Sequence, residues 1–297
     1  MKRAKVWLGV AALLCAALAL GGCIGIPIHE ATRTVEGAFA LTGPVDLDMS
    51  TSNGRVTVRG IVGLTDVEVT ATIRSRGDSL VAATNRAAQV TVEVQHIGNH
   101  VDVEYDAAAH PWDVRRYTGV DVEVLVPATA DVDVDTSNGR VEVSGIVGIL
   151  DLETSNGAVE VSDGVGEVHA TTSNGTVTVE RFEGVVEIRT SNGWVEMDDV
   201  DGAIDAETSN GRIAFGGSLA DGLSHRMVTS NGRIDVALPV SSSIALEATT
   251  SNSTIGTNLP LVGDTSGREW SAVLNPPTMT LLTLQTSNGQ IEILGTP

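Results

Sequence analysis

The chain has 297 residues, with 18 basic against 38 acidic side chains, a net charge of −20, two cysteines and 3% aromatic residues. A balance this acidic argues against nucleic acid as a partner and against direct adsorption on anionic lipid. Cys15 and Cys23 are the two cysteines and both lie near the start, so neither a disulfide framework nor a thiolate metal site is expected to hold the rest together.

Lys2, Arg3 and Lys5 precede an apolar run from Val6 to Leu20, which is too short to span a bilayer comfortably. This is the pattern of an export signal, residues 1–22. Its end, Leu20-Gly21-Gly22-Cys23, resembles the lipobox of bacterial lipoproteins. By that resemblance Cys23 is acylated, becomes the first mature residue and holds the protein to a membrane through a tether, residues 23–34. Ile24 follows it where an inner-membrane protein would carry Asp, which in a Gram-negative cell resembles the outer-membrane sorting signal. The expected location is the cell envelope.

Residues 35–117 read as a β-rich cap carrying one short helix. Leu41 to Arg59 is strand, Asn-Gly corner, strand, and Asp66 to Arg74 alternates again. Asp78 to Gln89 has apolar residues at helical spacing behind a capping Asp78 or Ser79. Val90 to Val94 and Val101 to Tyr105 alternate around Gly98-Asn99, predicting a hairpin. Tyr105 to Tyr117 is expected to be an irregular loop.

Residues 118–297 are repetitive. Thr-Ser-Asn-Gly starts at Thr51, Thr136, Thr154, Thr172, Thr190, Thr208, Thr229 and Thr286, and a variant, Thr-Ser-Asn-Ser, at Thr250. From Thr136 to Thr208 every step is 18 residues; two steps of 21 and one of 36 follow. A fixed period near 20 predicts stacked coils. Within each coil two segments alternate apolar and polar, for example Val177 and Val179, then Val186 and Ile188. The coils should therefore pair in parallel with their neighbours, giving an all-β, parallel β-solenoid of about 18-residue coils. Asn-Gly supplies one corner through the positive φ that glycine tolerates, and Gly148, Gly166, Gly184 and Gly202 mark the second. Continuing the alternation turns Thr and Asn inward. Asn138, Asn156, Asn174, Asn192, Asn210 and Asn231 would then form a structural amide ladder. Nine copies of one serine make no sense as a nucleophile, since no His and Asp partners accompany them.

The Val126-Pro127-Ala128 strand exit, the Thr-Ser-Asn-Gly-x-Val/Ile-x-Val coils and the closing Thr286 to Ile293 carry a family resemblance. Over roughly residues 35–295 the chain resembles the bacterial exported putative-adhesin domains of unknown function. The resemblance implies a β-solenoid at the cell surface.

Function is then sought where the repeat is broken. Tyr105, His110, Trp112 and Tyr117, with Arg115 and Arg116, fall in one segment; Trp194 replaces a small or basic residue at an outward position, and Trp270 lies in the irregular C-terminal unit. The segment either folds back as a cap or presents rings that stack on a sugar or anchor a surface-protein ligand, so Tyr105, Trp112, Tyr117, Trp194 and Trp270 are candidate ligand-binding residues. The outward acids Glu142, Glu160 and Glu196 should form a solvated face crossed by Arg140, Arg212 and Arg233; calcium is the sharper alternative, but the Gly-Gly-x-Gly-x-Asp nonapeptide of calcium β-rolls is absent. His96 and His100 flank a turn and could share a metal, although two ligands are too few. No cofactor, metal or catalytic residue is expected. The reading is a non-catalytic binding or adhesion module, with a self-associating envelope scaffold as the alternative and a polysaccharide-active β-helix enzyme as a remote third.

Overall fold

The computed structural model describes residues 29–41, 43–105 and 109–297. The export signal and Cys23 lie outside the described residues. The chain divides after Glu142 into two compact units, so the expected cap boundary at 117/118 falls inside the first of them.

In the first unit β1 (His29–Ala40) pairs antiparallel with β4 (Asp66–Gly77), so residues 29–34, expected as tether, form the first half of a strand. Between them come β2 (Val45–Thr51) and β3 (Val56–Ile61), joined by the first motif corner. Helix α1 (Leu80–Gln89) starts at Ser79, whose Oγ accepts from the Ala82 N–H at 3.2 Å, and buries Ala83 and Ala87. The hairpin of β5 (Glu93–Ile97) and β6 (His100–Glu104) forms where Gly98-Asn99 predicts it. A second helix, α2 (Trp112–Tyr117), occupies the expected irregular loop. Then follow β7 (Thr118–Pro127), β8 (Ala130–Thr136) and β9 (Val141–Ser144), the last spanning the division.

The stacking order of this unit is not its chain order. β2 lies between β6 and β8, parallel to both, with Leu47 opposite Val101 on one side and Val132 on the other. β3 pairs in parallel with β7. The first motif copy therefore stacks directly on the second across the 85-residue gap: the Thr51 hydroxyl donates to that of Thr136 at 2.9 Å, and the Asn138 amide donates to that of Asn53, also at 2.9 Å. On the outer side, β4 and β5 close β7 and β6 as antiparallel strands, covering edges that would otherwise template aggregation.

The second unit holds the regular coils. β10 (Val147–Thr154), β11 (Val159–Thr172), β12 (Val177–Thr190) and β13 (Val195–Thr208) pair in parallel at a one-period offset, as in Val159 opposite Val177 and Thr190 opposite Thr208. Each long strand bends at a residue in the left-handed region, Asp163, Arg181 and Asp199, a third corner that carries a glycine, Gly145, one period before Asp163. β14 (Ile213–Leu219) and β15 (Ser224–Thr229) then divide one coil between them, as do β16 (Ile234–Pro239) and β17 (Ile244–Thr250) in the next. Short β18 (Ile255–Thr257) and β19 (Val262–Asp264) follow, then β20 (Glu269–Leu274), β21 (Thr280–Thr286) and β22 (Ile291–Thr296). Here too the order is exchanged. β21 lies between β15 and β17, and β22 between β16 and β18, so the last coil is inserted before the one that precedes it in sequence. β20 then covers β17 as an antiparallel cap, and β19 pairs with β20.

The motif residues are held by contacts that repeat from coil to coil. Thr208 is buried; its hydroxyl accepts from the Gly211 N–H at 3.2 Å and donates to the Gly193 carbonyl of the preceding coil at 3.1 Å. The motif glycine is needed for vertical approach, because a Cβ on Gly193 would sit 1.6 Å from the Gly175 oxygen. Gly193 is not in the left-handed region, so the positive-φ reason expected from the sequence does not apply there. Asn is exposed rather than turned inward, since the strand ends at Thr and the period-2 alternation ends with it.

Candidate ligand-binding groove

In the first unit α2 takes the place of a motif corner. Tyr105 N–H donates to the Ser50 carbonyl at 2.8 Å where the β6 strand ends, and Val120 N–H returns to the Asn53 carbonyl at 3.3 Å where β7 begins. Among the described residues between these two points helix α2 stands in place of Thr-Ser-Asn-Gly. Pro111 precedes it and its carbonyl accepts from the N–H groups of Val114 and Arg115 at 3.0 and 3.1 Å. Asp113 in the first turn and Arg115 and Arg116 in the last suit the helix dipole. Val114, fully buried, anchors the helix.

The opposite face of α2 is open. Trp112 is 57% exposed and Tyr117 41%. Trp112 and Arg116 are one turn apart, so the guanidinium lies over the indole at 4.9 Å; it also lies 5.6 Å from the Tyr117 ring. Arg86 of α1 covers Tyr117 at 5.1 Å and pairs with Asp113 at 3.6 Å. Trp112, Arg116, Tyr117 and Arg86 thus form an alternating stack of rings and cations, which restrains the rings before any ligand arrives.

Beside this stack is a groove of about 410 Å³ lined by Trp112, Arg115, Arg116 and the Ser-Asn pairs of two stacked motif copies, Ser52, Asn53, Ser137 and Asn138. That volume falls in the roughly 300–1,000 Å³ range of small-ligand sites. In the Asn pair of this unit the Asn138 amide donates to the Asn53 oxygen. Asn53 is the last member, since α2 replaces the next corner, and its own NH2 has no partner among the described residues. A second groove of about 340 Å³ shares Arg116 and Tyr117, but its other arginines are neutralised, Arg74 by Asp121 at 2.6 Å and Arg76 by Glu30 at 3.4 Å.

The other candidates fall elsewhere. Tyr105 is 1% exposed, its ring 6.0 Å from that of His110, so it belongs to the core beneath α2 and is not available to a ligand; the alternation that placed it in a strand already implied an inward side chain. Trp194 is 63% exposed at a corner of the second unit, and Trp270 is half-buried on β20 opposite Ala248. Neither lines the groove. Asn156, Asn174, Asn192, Asn210 and Asn231 form an unbroken run in the second unit, with donor–acceptor distances of 2.7–2.9 Å, continued by Asn288 and Asn252 at 2.7 Å. His96 pairs with Val101 and Ile97 with His100, which places the two histidines on opposite faces of the hairpin. His96 packs on Phe39 while His100 bonds Asp46 at 2.9 Å, so they share no site. On the outward face, Arg140 and Arg55 reach Glu142, and Arg212 reaches Asp235 across one coil. Among the described residues no three His, Cys, Asp or Glu side chains converge as a metal site would. The sequence brings Arg115, Arg116 and Trp112 together, but their apposition to Asn53 and Asn138 has no local signal, because it depends on which coil stacks on which.

The Toastrack DUF4097 family matches residues 62–294. The chain belongs to that family. The motif resemblance implied such a domain of unknown function, and the Toastrack coils account for the stacked parallel strands. No curated relative matches the chain. Among solved structures it is similar to a putative adhesin from Parabacteroides distasonis ATCC 8503 (13% identity, TM-score 0.42, covering 88% of this chain and 97% of that one). It is also similar to a putative adhesin from Bacteroides fragilis NCTC 9343 (10%, 0.37, 88% and 97%) and to a putative cell adhesion protein from Clostridium sporogenes ATCC 15579 (8%, 0.26, 89% and 100%).

Proposed function

We propose that this Toastrack protein is a non-catalytic binding module of the bacterial cell surface, held by an acylated Cys23, and that it takes a glycan in the α2 groove. The observation that carries the reading is the exposed indole of Trp112, fixed by the Arg116–Tyr117 stack and flanked by the remaining NH2 of Asn53. A ring of this kind supplies a flat apolar platform for a sugar face, while amide and guanidinium donors meet its oxygens. The remaining repeat residues are absorbed by structure: Thr and Gly close the corners, and Asn stitches them. A glycan array with the full chain tests the reading. Binding that drops at least tenfold in Trp112→Ala, with no change in melting temperature, supports it; attachment unaltered by Trp112→Ala sinks it. Trp194→Ala serves as the comparison, since that indole stands alone on a coil.

A self-associating scaffold is the second reading. It is favoured by the exposed aliphatic side chains Val147, Ile149, Val165 and Val185 on neighbouring coils of the second unit, where Val147 lies opposite Val165 and Glu167 separates Ile149 from Val185. Light scattering at high concentration separates the two, because a persistent monomer rules the scaffold out.

A further inference from the structure

Among the described residues the arginines are almost all spoken for. Arg55, Arg59, Arg74, Arg76, Arg86, Arg140, Arg181, Arg189, Arg212, Arg226 and Arg233 each lie on a carboxylate. Arg33 and Arg268 donate to the backbone carbonyls of Val90 and Ser251. Such pairing is what a chain of net charge −20 should show, because every cation has a surplus of acids within reach. Arg115 and Arg116 are the exceptions. Both are exposed, neither has a carboxylate or carbonyl partner among the described residues, and both line the same groove. The one acid on their helix, Asp113, is taken by Arg86.

The rest of the lining points the same way. The Asn138 amide spends a donor on Asn53, and what Asn53 has left is its NH2, again a donor. Guanidinium groups only donate. A groove that offers two unpaired cations, a free amide NH2 and an aromatic platform is matched by a ring carrying an anionic, acceptor-only group. We infer that the α2 groove selects an anionic glycan, one whose sugar carries a carboxylate or a sulfate. The inference rests on the reading of this groove as a glycan site. The sugar face packs on Trp112, the anionic group lies between Arg115 and Arg116, and the Asn53 amide donates to a ring hydroxyl or to the same anion. The surplus negative charge elsewhere repels such a polymer from the remaining surface, which confines it to this one place.

The test is calorimetric titration of the full chain with oligogalacturonate, dextran sulfate, neutral dextran of matched length and poly-glutamate. The first two distinguish carboxylate from sulfate; dextran and its sulfate differ only in the anionic group. The expected result is binding of at least one anionic glycan at least tenfold tighter than dextran, weakening several-fold as salt rises to physiological strength. Arg115→Gln, whose side chain has no intramolecular partner to lose, lowers that affinity roughly tenfold, while Arg181→Gln, an equal charge change at a paired site, leaves it unaltered. Dextran bound as tightly as its sulfate, or Arg115→Gln indistinguishable from Arg181→Gln while Trp112→Ala still abolishes binding, overturns the anionic selection and leaves the groove reading standing. Poly-glutamate bound as tightly as the glycans also overturns it. Failure of all three glycans to bind a folded chain overturns both.

Discussion

The two units solve the same problem in opposite chain directions. In the first, the earliest coil, β2–β3, is enclosed by coils that follow it; in the second, the last coil, β21–β22, is enclosed by coils that precede it. Each unit then closes its outer coil with antiparallel strands, β4 and β5 in one and β20 in the other. The difference lies at the corners. In the second unit the Asn run passes through every coil up to Asn252, whereas in the first it stops at Asn53, because α2 stands where the next motif would be. A solenoid coil is covered by its neighbours and offers little but ladder; where a corner is replaced, side chains are released from stacking and become available to a ligand.

The sharpest way to break the regular half is to fill its vertical contact. Gly193→Ala puts a Cβ 1.6 Å from the Gly175 oxygen in mid-stack, and relief requires two coils to separate. A loss of about 4 kcal/mol in denaturant unfolding is expected. Gly256, around which nothing lies within 4 Å, should accept alanine almost without cost in the same measurement. Equal effects at the two positions would show that vertical approach is not what the motif glycine is for. Thr208→Val is next. It keeps the shape but leaves the Gly211 N–H and the Gly193 carbonyl buried without a partner, for a loss of about 2 kcal/mol. Ser209→Ala beside it, at an exposed position, should unfold at the same denaturant concentration as the wild type.

This contrast also explains what could be read from the sequence. The period, the inward columns such as Val159, Val177 and Val195, the Gly98-Asn99 hairpin and the Ser79 cap are local or exactly repeating, so side-chain alternation and spacing reveal them. Stacking order is neither local nor periodic. Nothing in the 85- or 36-residue steps states that Thr51 lies on Thr136 or that Thr286 hydrogen-bonds towards Gly232 rather than a Thr250 neighbour. The left-handed corner at Asp163, Arg181 and Asp199 is hinted at only by Gly145 one period earlier; Arg181 is held there by a bidentate bond to Asp163 of the preceding coil, a contact between coils. Helix α2 was masked by its length, six residues with one buried apolar side chain. The aromatic segment was legible as a departure from the repeat, but its chemistry depends on Asn53, which lies in a coil stacked upon it.

A smaller effect tests a buried histidine of β15 in the second unit. His225 occupies an inward position opposite Ile204, whose N–H donates to its Nδ1 at 3.2 Å, while its Nε2–H donates to the Ala220 carbonyl at 3.0 Å. Burial holds its pKa below the ordinary 6.5, only partly countered by the bond to Ala220. The unfolded chain therefore takes up the proton first as pH falls. This contribution is level well above pH 6.5, declines through that value by at most about 1.4 kcal/mol per pH unit, and stops declining below the folded pKa. Unfolding of the wild type and of His225→Gln followed between pH 7.5 and about 4.5 isolates it, since the other titrating groups are common to both; parallel curves would mean that His225 is not the neutral, doubly bonded group the geometry describes.

The weakest expected change concerns the Asn ladder, in which the two units differ. Asn192 donates to Asn174 at 2.9 Å and accepts from Asn210 at 2.8 Å, yet all three side chains are exposed and water can replace either bond. Asn192→Ala should therefore cost only about 0.5 kcal/mol. The first unit offers the informative counterpart. Asn53→Ala removes a single ladder bond, to Asn138, and should be no more destabilising, but it also deletes the free NH2 in the α2 groove. If the ladder is stitching in one unit and recognition in the other, Asn53→Ala weakens glycan binding several-fold at unchanged melting temperature while Asn192→Ala changes neither. If both substitutions alter only stability, the end of the ladder is no different from its middle, and the contrast between the units reduces to the helix alone.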